Sequence, residues 1–134
     1  MSNAQTVQAM YEAFGRGDVP AILDELDENV VWEVAGSTTD VPWMQTRAGR
    51  DGARAFFENL AALDFHKFDV TSVTDIGGRV LSVVDVEATV KATGERFAEP
   101  DEVHIWWFND AGKVTAFRHR ADTHLQWKAF HAAG

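Results

Sequence analysis

The spacing of apolar residues changes twice along the chain. Up to residue 26 it is helical. Ser2 and Gln5 form a capping box, and Val7, Met10, Tyr11 and Phe14 follow on one face. Gly15 and Gly17 end this helix. Asp18 then caps a second, short helix with Pro20 in its first turn and Ile22, Leu23 and Leu26 on its inner side. Residues 30–34 (VVWEV) are β-branched or aromatic and predict a strand. Residues 36–49 have no period yet hold Pro42, Trp43 and Met44, which suggests a lid over something apolar. A third helix is predicted from Asp51, with Ala53, Phe56, Phe57, Leu60 and Leu63 as its stripe.

Strand signals dominate the rest: 65–74, 79–91, 97–108 and 113 to about 123. Turn residues separate them at Gly77 and Gly78, at Thr93 and Gly94, and at 109–112. Residues 125–130 add a helical turn. Helix, helix, strand, helix and four antiparallel strands make an α+β order, a curved sheet closing over its helices. Residues 1–134 read as one domain, with no repeat or linker.

Composition narrows the functions. The net charge of −9, from 21 acidic and 12 basic residues, repels phosphate backbones and anionic lipids, so no nucleic acid and no membrane is expected as partner. No apolar run approaches a membrane span and no signal-peptide pattern opens the chain, so a cytoplasmic location is expected. With 0 Cys, thiolate chemistry and Cys-ligated zinc are excluded. No nucleotide-binding motif appears, and no cofactor is expected. The 5 Trp and 9 Phe are large aromatics that need somewhere to pack.

Residues 10–18 (MYEAFGRGD), 31–34 (VWEV), 49–57 (GRDGARAFF) and 112–118 (GKVTAFR), with Asp122 and Thr123 just after, resemble SnoaL-like proteins of the nuclear transport factor 2-like superfamily. The resemblance implies a cone of curved antiparallel sheet on three N-terminal helices. It also implies a pocket between them for a small hydrophobic molecule, and frequently a homodimer through the outer sheet face. Relatives include polyketide cyclases, ketosteroid isomerases, epoxide hydrolases, dehydratases and proteins without catalysis, so the fold transfers better than the reaction.

The last hairpin allows a parity argument. With Phe108 opposite Lys113, Trp106 faces Thr115, His104 faces Phe117 and Glu102 faces His119. Glu102, His104, Trp106, Phe108, Thr115, Phe117, His119 and Ala121 share one face, while Val103, Ile105, Trp107, Val114, Ala116, Arg118, Arg120 and Asp122 take the other. Both faces are partly apolar, and the resemblance decides between them. Ketosteroid isomerases carry a hydrogen-bonding acid at the position of His104, which makes the first face the pocket wall. Trp32, Val34, Met10, Phe14 and Phe56 would complete an apolar cup beside Trp106 and Phe117, with Trp43 contributed by the lid. The isomerase's catalytic aspartate corresponds to Val34 and its oxyanion tyrosine to Met10, so isomerase activity of that kind is not implied.

SnoaL-type cyclases use a His and an Asp on the last two strands. His104 fits the first role; the neighbouring inward position offers His119, and Asp122 points outward. His104 and His119 should lie diagonally, roughly 5–8 Å apart at Cβ. His104 would exchange a proton with a substrate carbonyl or hydroxyl, and Glu102 with His119 would move it. Glu102, His104 and His119 also have the composition of a two-His-one-carboxylate iron site. Pockets of this family usually work without metal, and none is expected. Two readings without chemistry stand beside the enzyme. One is a binding module for a small hydrophobic ligand; the other is a structural domain, favoured if Trp32, Trp106 and Phe117 fill the pocket by packing together.

Overall fold

The computed structural model describes residues 1–35 and 38–132; residues 36 and 37, the start of the aperiodic stretch, lie outside it. Helix α1 (Asn3–Gly15) opens on the complete capping box: the Gln5 N–H donates to Ser2 Oγ and the Ser2 N–H to Gln5 Oε1. Asp18 caps α2 (Val19–Leu23) by accepting from the Ala21 N–H. Leu26 is not helical; it opens strand β1 (Leu26–Glu33).

Pro42–Met44 forms a single 3-10 turn, and a two-residue strand, β2 (Arg47–Ala48), leads directly into α3 (Gly49–Asn59). Gly49 makes that corner at φ 75, where a Cβ would lie 3.4 Å from the Glu28 carbonyl oxygen. Leu60–Ala62 winds on as a 3-10 turn, and Leu63, expected on the helix, begins strand β3 (Leu63–Asp75). Strands β4 (Arg79–Val90), β5 (Arg96–Phe108) and β6 (Val114–Arg120) follow. Asp122 caps the final helix, α4 (Thr123–Phe130), twice the length of the single turn expected.

The six strands form one curved, open sheet in the order β2-β1-β6-β5-β4-β3, packed against the helices. It is mixed, which corrects the all-antiparallel expectation: β1 and β6 run parallel. The chain reaches β6 only after an excursion through α3 and four strands, the long crossover that a parallel neighbour requires. On β4 the inward residues Val80, Ser82, Val84, Val86, Ala88 and Val90 are all buried, in clean alternation.

Two bulges set what faces inward on β5 and β6. Phe108 pairs with Val114 but Trp107 pairs with Ala116, so Thr115 is an extra residue. His104 therefore lies opposite His119, and Trp106 opposite Phe117, two residues from the expected register. A slip of two preserves facing, so the inward set from Glu102 to Trp106 and from Phe117 to His119 stands. Before the bulge it does not: Val114, expected outside, is fully buried. The second bulge lies in β5. Val84 pairs with Glu102 and Val86 with Glu99, leaving Pro100 and Asp101 opposite Asp85, whose Oδ1 accepts from the Asp101 N–H at 2.9 Å.

Candidate functional site

A rung of three polar residues, Ser82, His104 and His119, crosses β4, β5 and β6 on the inner face. Glu102 is next to it, opposite Val84 rather than His119 as the sequence suggested. Its Oε1 accepts from both rings, from His104 Nε2 at 2.8 Å and from His119 Nε2 at 2.5 Å. Glu102 is buried, 4% exposed. The ring centroids of the two histidines are 5.1 Å apart.

Acceptor-only groups fix the protons. His119 Nδ1 lies 3.1 Å from the Val34 carbonyl oxygen, which can only accept, so both nitrogens of His119 carry hydrogen. Burial pulls its pKa down, but the Glu102 charge and hydrogen bond outweigh this and leave it raised. Burial would push Glu102 up; the His119 charge and the two ring N–H groups hold it well below the usual carboxylate range. His104 is lowered, by burial first and by the neighbouring His119 charge, and stays neutral. With Nε2–H given to Glu102, its Nδ1 accepts from the Tyr11 hydroxyl at 2.6 Å. Tyr11 accepts from Ser82 Oγ at 2.6 Å, and Ser82 from Trp106 Nε1–H at 3.1 Å. Burial raises the Tyr11 phenol far above its ordinary value. The chain of bonds runs unbroken from Trp106 to Val34, with one carboxylate and one imidazolium inside it.

This cluster forms the polar end of an apolar cavity of about 80 Å³. Of the residues expected there, Met10, Phe14, Trp32, Trp43, Phe56, Trp106, Phe117, Glu102, His104 and His119 all line it. Val34 does not: it follows the end of β1 and contributes its backbone carbonyl to His119. Half-buried Phe57, Leu60, Phe65 and Phe68 line it as well. Trp32 and Phe117 stack at 4.1 Å between centroids, and Trp106 meets Phe117 at 4.7 Å, so these three do pack together beside the space that remains.

Glu102, His104 and His119 could also close on a metal ion, since one ligand atom from each lies within 4.8 Å of the others. Tyr11 and the Val34 carbonyl would then orient the rings from behind, as outer partners of metal-bound histidines do. The three groups already satisfy one another by hydrogen bonds.

A family model described as a SnoaL-like domain matches residues 7–117. The chain belongs to the SnoaL-like family. Among solved structures, this SnoaL-like chain is similar to an NTF2-like protein of unknown function from Burkholderia pseudomallei, at 26% identity and a TM-score of 0.84, covering 98% of this chain and 100% of the other. An NTF2-like protein from Burkholderia thailandensis gives 26% identity and a TM-score of 0.84 over 98% and 99% of the two chains. At 21% identity, the fold is shared with a putative SnoaL-like polyketide cyclase from Mesorhizobium loti, with a TM-score of 0.71 over 89% and 98%. No curated protein matches. No helix among the described residues is long and apolar enough to cross a membrane.

Sequence reasoning missed four side chains of this site. In the sequence Tyr11 is part of the helix stripe, and the resemblance puts the isomerase tyrosine one residue away, on Met10; the structure brings the Tyr11 phenol to His104. Ser82 was visible as the one polar member of the inward series on β4. Gln126 lines the cavity from α4, beyond the residues the family model matches. Its Oε1 accepts from Trp43 Nε1 at 2.8 Å and its Nε2 donates to buried Glu99 at 3.0 Å. The signal for Glu99 was Pro100, which cannot sit in a regular central strand.

Proposed function

We propose that this SnoaL-like protein binds a small, largely apolar molecule carrying a carbonyl or hydroxyl group and acts on it by acid–base chemistry. Isomerisation, cyclisation, dehydration and hydrolysis fit such a site. One observation carries the reading: the aromatic cavity ends on a buried carboxylate held between a charged and a neutral imidazole. Groups with pKa values pushed apart in one cleft are the pattern of acid and base roles. His104, neutral, would take a proton from the substrate oxygen at Nδ1 in place of the Tyr11 hydrogen bond and later return it. The Glu102 carboxylate would stabilise the imidazolium so formed, and the His119 charge would keep Glu102 ionised. Trp32 lines the cavity, and its buried indole N–H has no partner among the described residues.

The test is turnover of a panel of small carbonyl and hydroxyl compounds followed by mass spectrometry. His104→Gln and His119→Gln should each lower turnover by about 100-fold or more while the protein stays folded. Wild-type rates in both variants would overturn the reading.

A binding module without chemistry is the second reading, favoured by the stacking of Trp32, Phe117 and Trp106, which leaves little free space. It predicts unchanged ligand affinity in both histidine variants and no consumption of any compound. Self-association through the outer sheet face belongs to the same proposal. Val31, 49% exposed, lies there beside half-buried Val103, Ile105 and Trp107.

A further inference from the structure

Glu102, His104 and His119 bring one carboxylate oxygen and two imidazole nitrogens together. His104 Nε2 lies 2.8 Å and His119 Nε2 2.5 Å from Glu102 Oε1, and one ligand atom from each residue lies within 4.8 Å of the others. Donors on a four-coordinate zinc ion, about 2.0–2.2 Å from the metal, stand roughly 3.3 Å apart. Small side-chain rotations carry these three donors to that spacing. Two His and one carboxylate are also the ligands of zinc sites that keep a fourth position open. All three residues line the cavity, so water or the oxygen of a bound molecule can complete the coordination. Among the described residues, no lysine or arginine lines the cavity to repel an incoming cation.

The second observation lies behind the rings. Metal-bound histidines are oriented by an acceptor on the nitrogen away from the ion. His119 Nδ1 already donates to the Val34 carbonyl oxygen at 3.1 Å. His104 Nδ1 faces the Tyr11 hydroxyl at 2.6 Å, and this bond can reverse. Tyr11 then accepts from His104 Nδ1–H and donates to Ser82 Oγ at 2.6 Å. Ser82 turns its own hydrogen to the His104 carbonyl oxygen, 3.4 Å away, and still accepts from Trp106 Nε1–H. No group in the chain of bonds loses its partner. The His104 hydrogen moves from Nε2 to Nδ1 and the Nε2 hydrogen of His119 leaves for solvent, so one divalent ion replaces one proton.

We propose that Glu102, His104 and His119 form a binding site for a divalent transition-metal ion, with Tyr11 and the Val34 carbonyl as its outer partners. Two nitrogen donors against one oxygen select ions of the zinc and iron(II) kind over magnesium and calcium, which take oxygen donors. The proposal goes beyond the acid–base reading, which needs no metal. It uses the same three side chains and rests on their geometry, not on turnover.

Calorimetric titration of the untagged, chelator-stripped chain with zinc, without substrate, tests this directly. One ion should bind per chain and resist displacement by excess magnesium. His104→Gln and His119→Gln should each weaken binding by about 100-fold or more, since each removes a ligand. Tyr11→Phe keeps all three ligands and should weaken it by about 10-fold, the effect of losing an outer partner. His124→Gln and His131→Gln, at exposed histidines, should leave it unchanged. Where a ligand variant does not fold, nitrogen-15 NMR of the wild-type rings decides. Zinc should shift His104 and His119 and leave exposed His66, His124 and His131 in place. The site is overturned by no binding, by binding that survives both ligand variants, or by shifts confined to the exposed histidines. Displacement by magnesium would overturn the choice of ion, and full affinity in Tyr11→Phe the role of its hydroxyl. Turnover assayed with chelator present tests the acid–base reading by itself, so either reading can fail while the other stands.

Discussion

The two faces of the sheet carry carboxylate contacts of similar length in opposite surroundings. Inside, Glu102 meets His104 at 2.8 Å and His119 at 2.5 Å with all three buried. Outside, Glu33 on β1 meets Arg118 at 3.1 Å and Arg120 at 3.2 Å, the arginine side chains 50% and 43% exposed. Distance does not separate the two sets; solvent does. In water a charge that loses its partner is solvated and little changes, whereas in a dry interior it stays uncompensated. Inside, the contacts act through a lower dielectric, and the pKa values of Glu102, His104 and His119 are displaced.

The hardest test of that contrast is Glu102→Ala. It leaves His119 buried with a charge and no counter-ion, and His104 with an N–H and no acceptor. Removing one partner of a buried pair costs about 3–5 kcal/mol, to be read from urea unfolding at pH 7. A loss under about 1 kcal/mol would mean that water reaches the cluster and that the two faces do not differ.

Glu102→Gln sharpens the same point by pH. His119 has a raised pKa in the folded protein, so its pairing stabilises fully below its unfolded value of 6.5 and is lost as pH rises through the folded value. With the carboxylate neutralised, burial dominates and the His119 pKa should drop below 6.5, reversing its share of the pH dependence. Imidazole NMR titration of the variant checks the direction.

How much of this was legible beforehand follows from parity and its limits. The helices, five of the six strands and the inward set around His104 could be read because capping residues and alternation are local signals. The expected register was wrong by two residues, but an even slip cannot turn His104 or His119 outward. Bulges are different. Thr115 carried no warning, and Val114 went to the wrong face as a result. Pro100 did carry one, yet nothing local says that the chain beyond it resumes with Glu99 and Glu102 on one side. Tyr11 and His104 stand 93 positions apart, and their hydrogen bond depends on how α1 lies across the sheet, which no spacing encodes.

Tyr11→Phe is expected to have a smaller effect. It removes the hydroxyl given to His104 Nδ1 and the acceptor for Ser82 Oγ–H. The Ser82 hydroxyl can turn to the His104 carbonyl oxygen, 3.4 Å away, so only one buried group stays unpaired. The expected loss is about 1–2 kcal/mol in unfolding free energy. A loss as large as that of Glu102→Ala would instead make the phenol a main support of the inner cluster.

The smallest effect is expected outside, for Arg118→Ala. Its guanidinium pairs with Glu33 at 3.1 Å and lies 5.1 Å from the Trp107 ring centroid, but Arg120 also reaches Glu33 and water reaches all three. Removing it should change the unfolding free energy by no more than about 1 kcal/mol, and added salt should shrink even that. The measurement is worth making at two protein concentrations. A loss above about 2 kcal/mol that depends on concentration would mean that this face is not in water at all. A second copy of the chain would then be covering Val31, Ile105 and Trp107, and the outer pairs would obey the same physics as the inner ones.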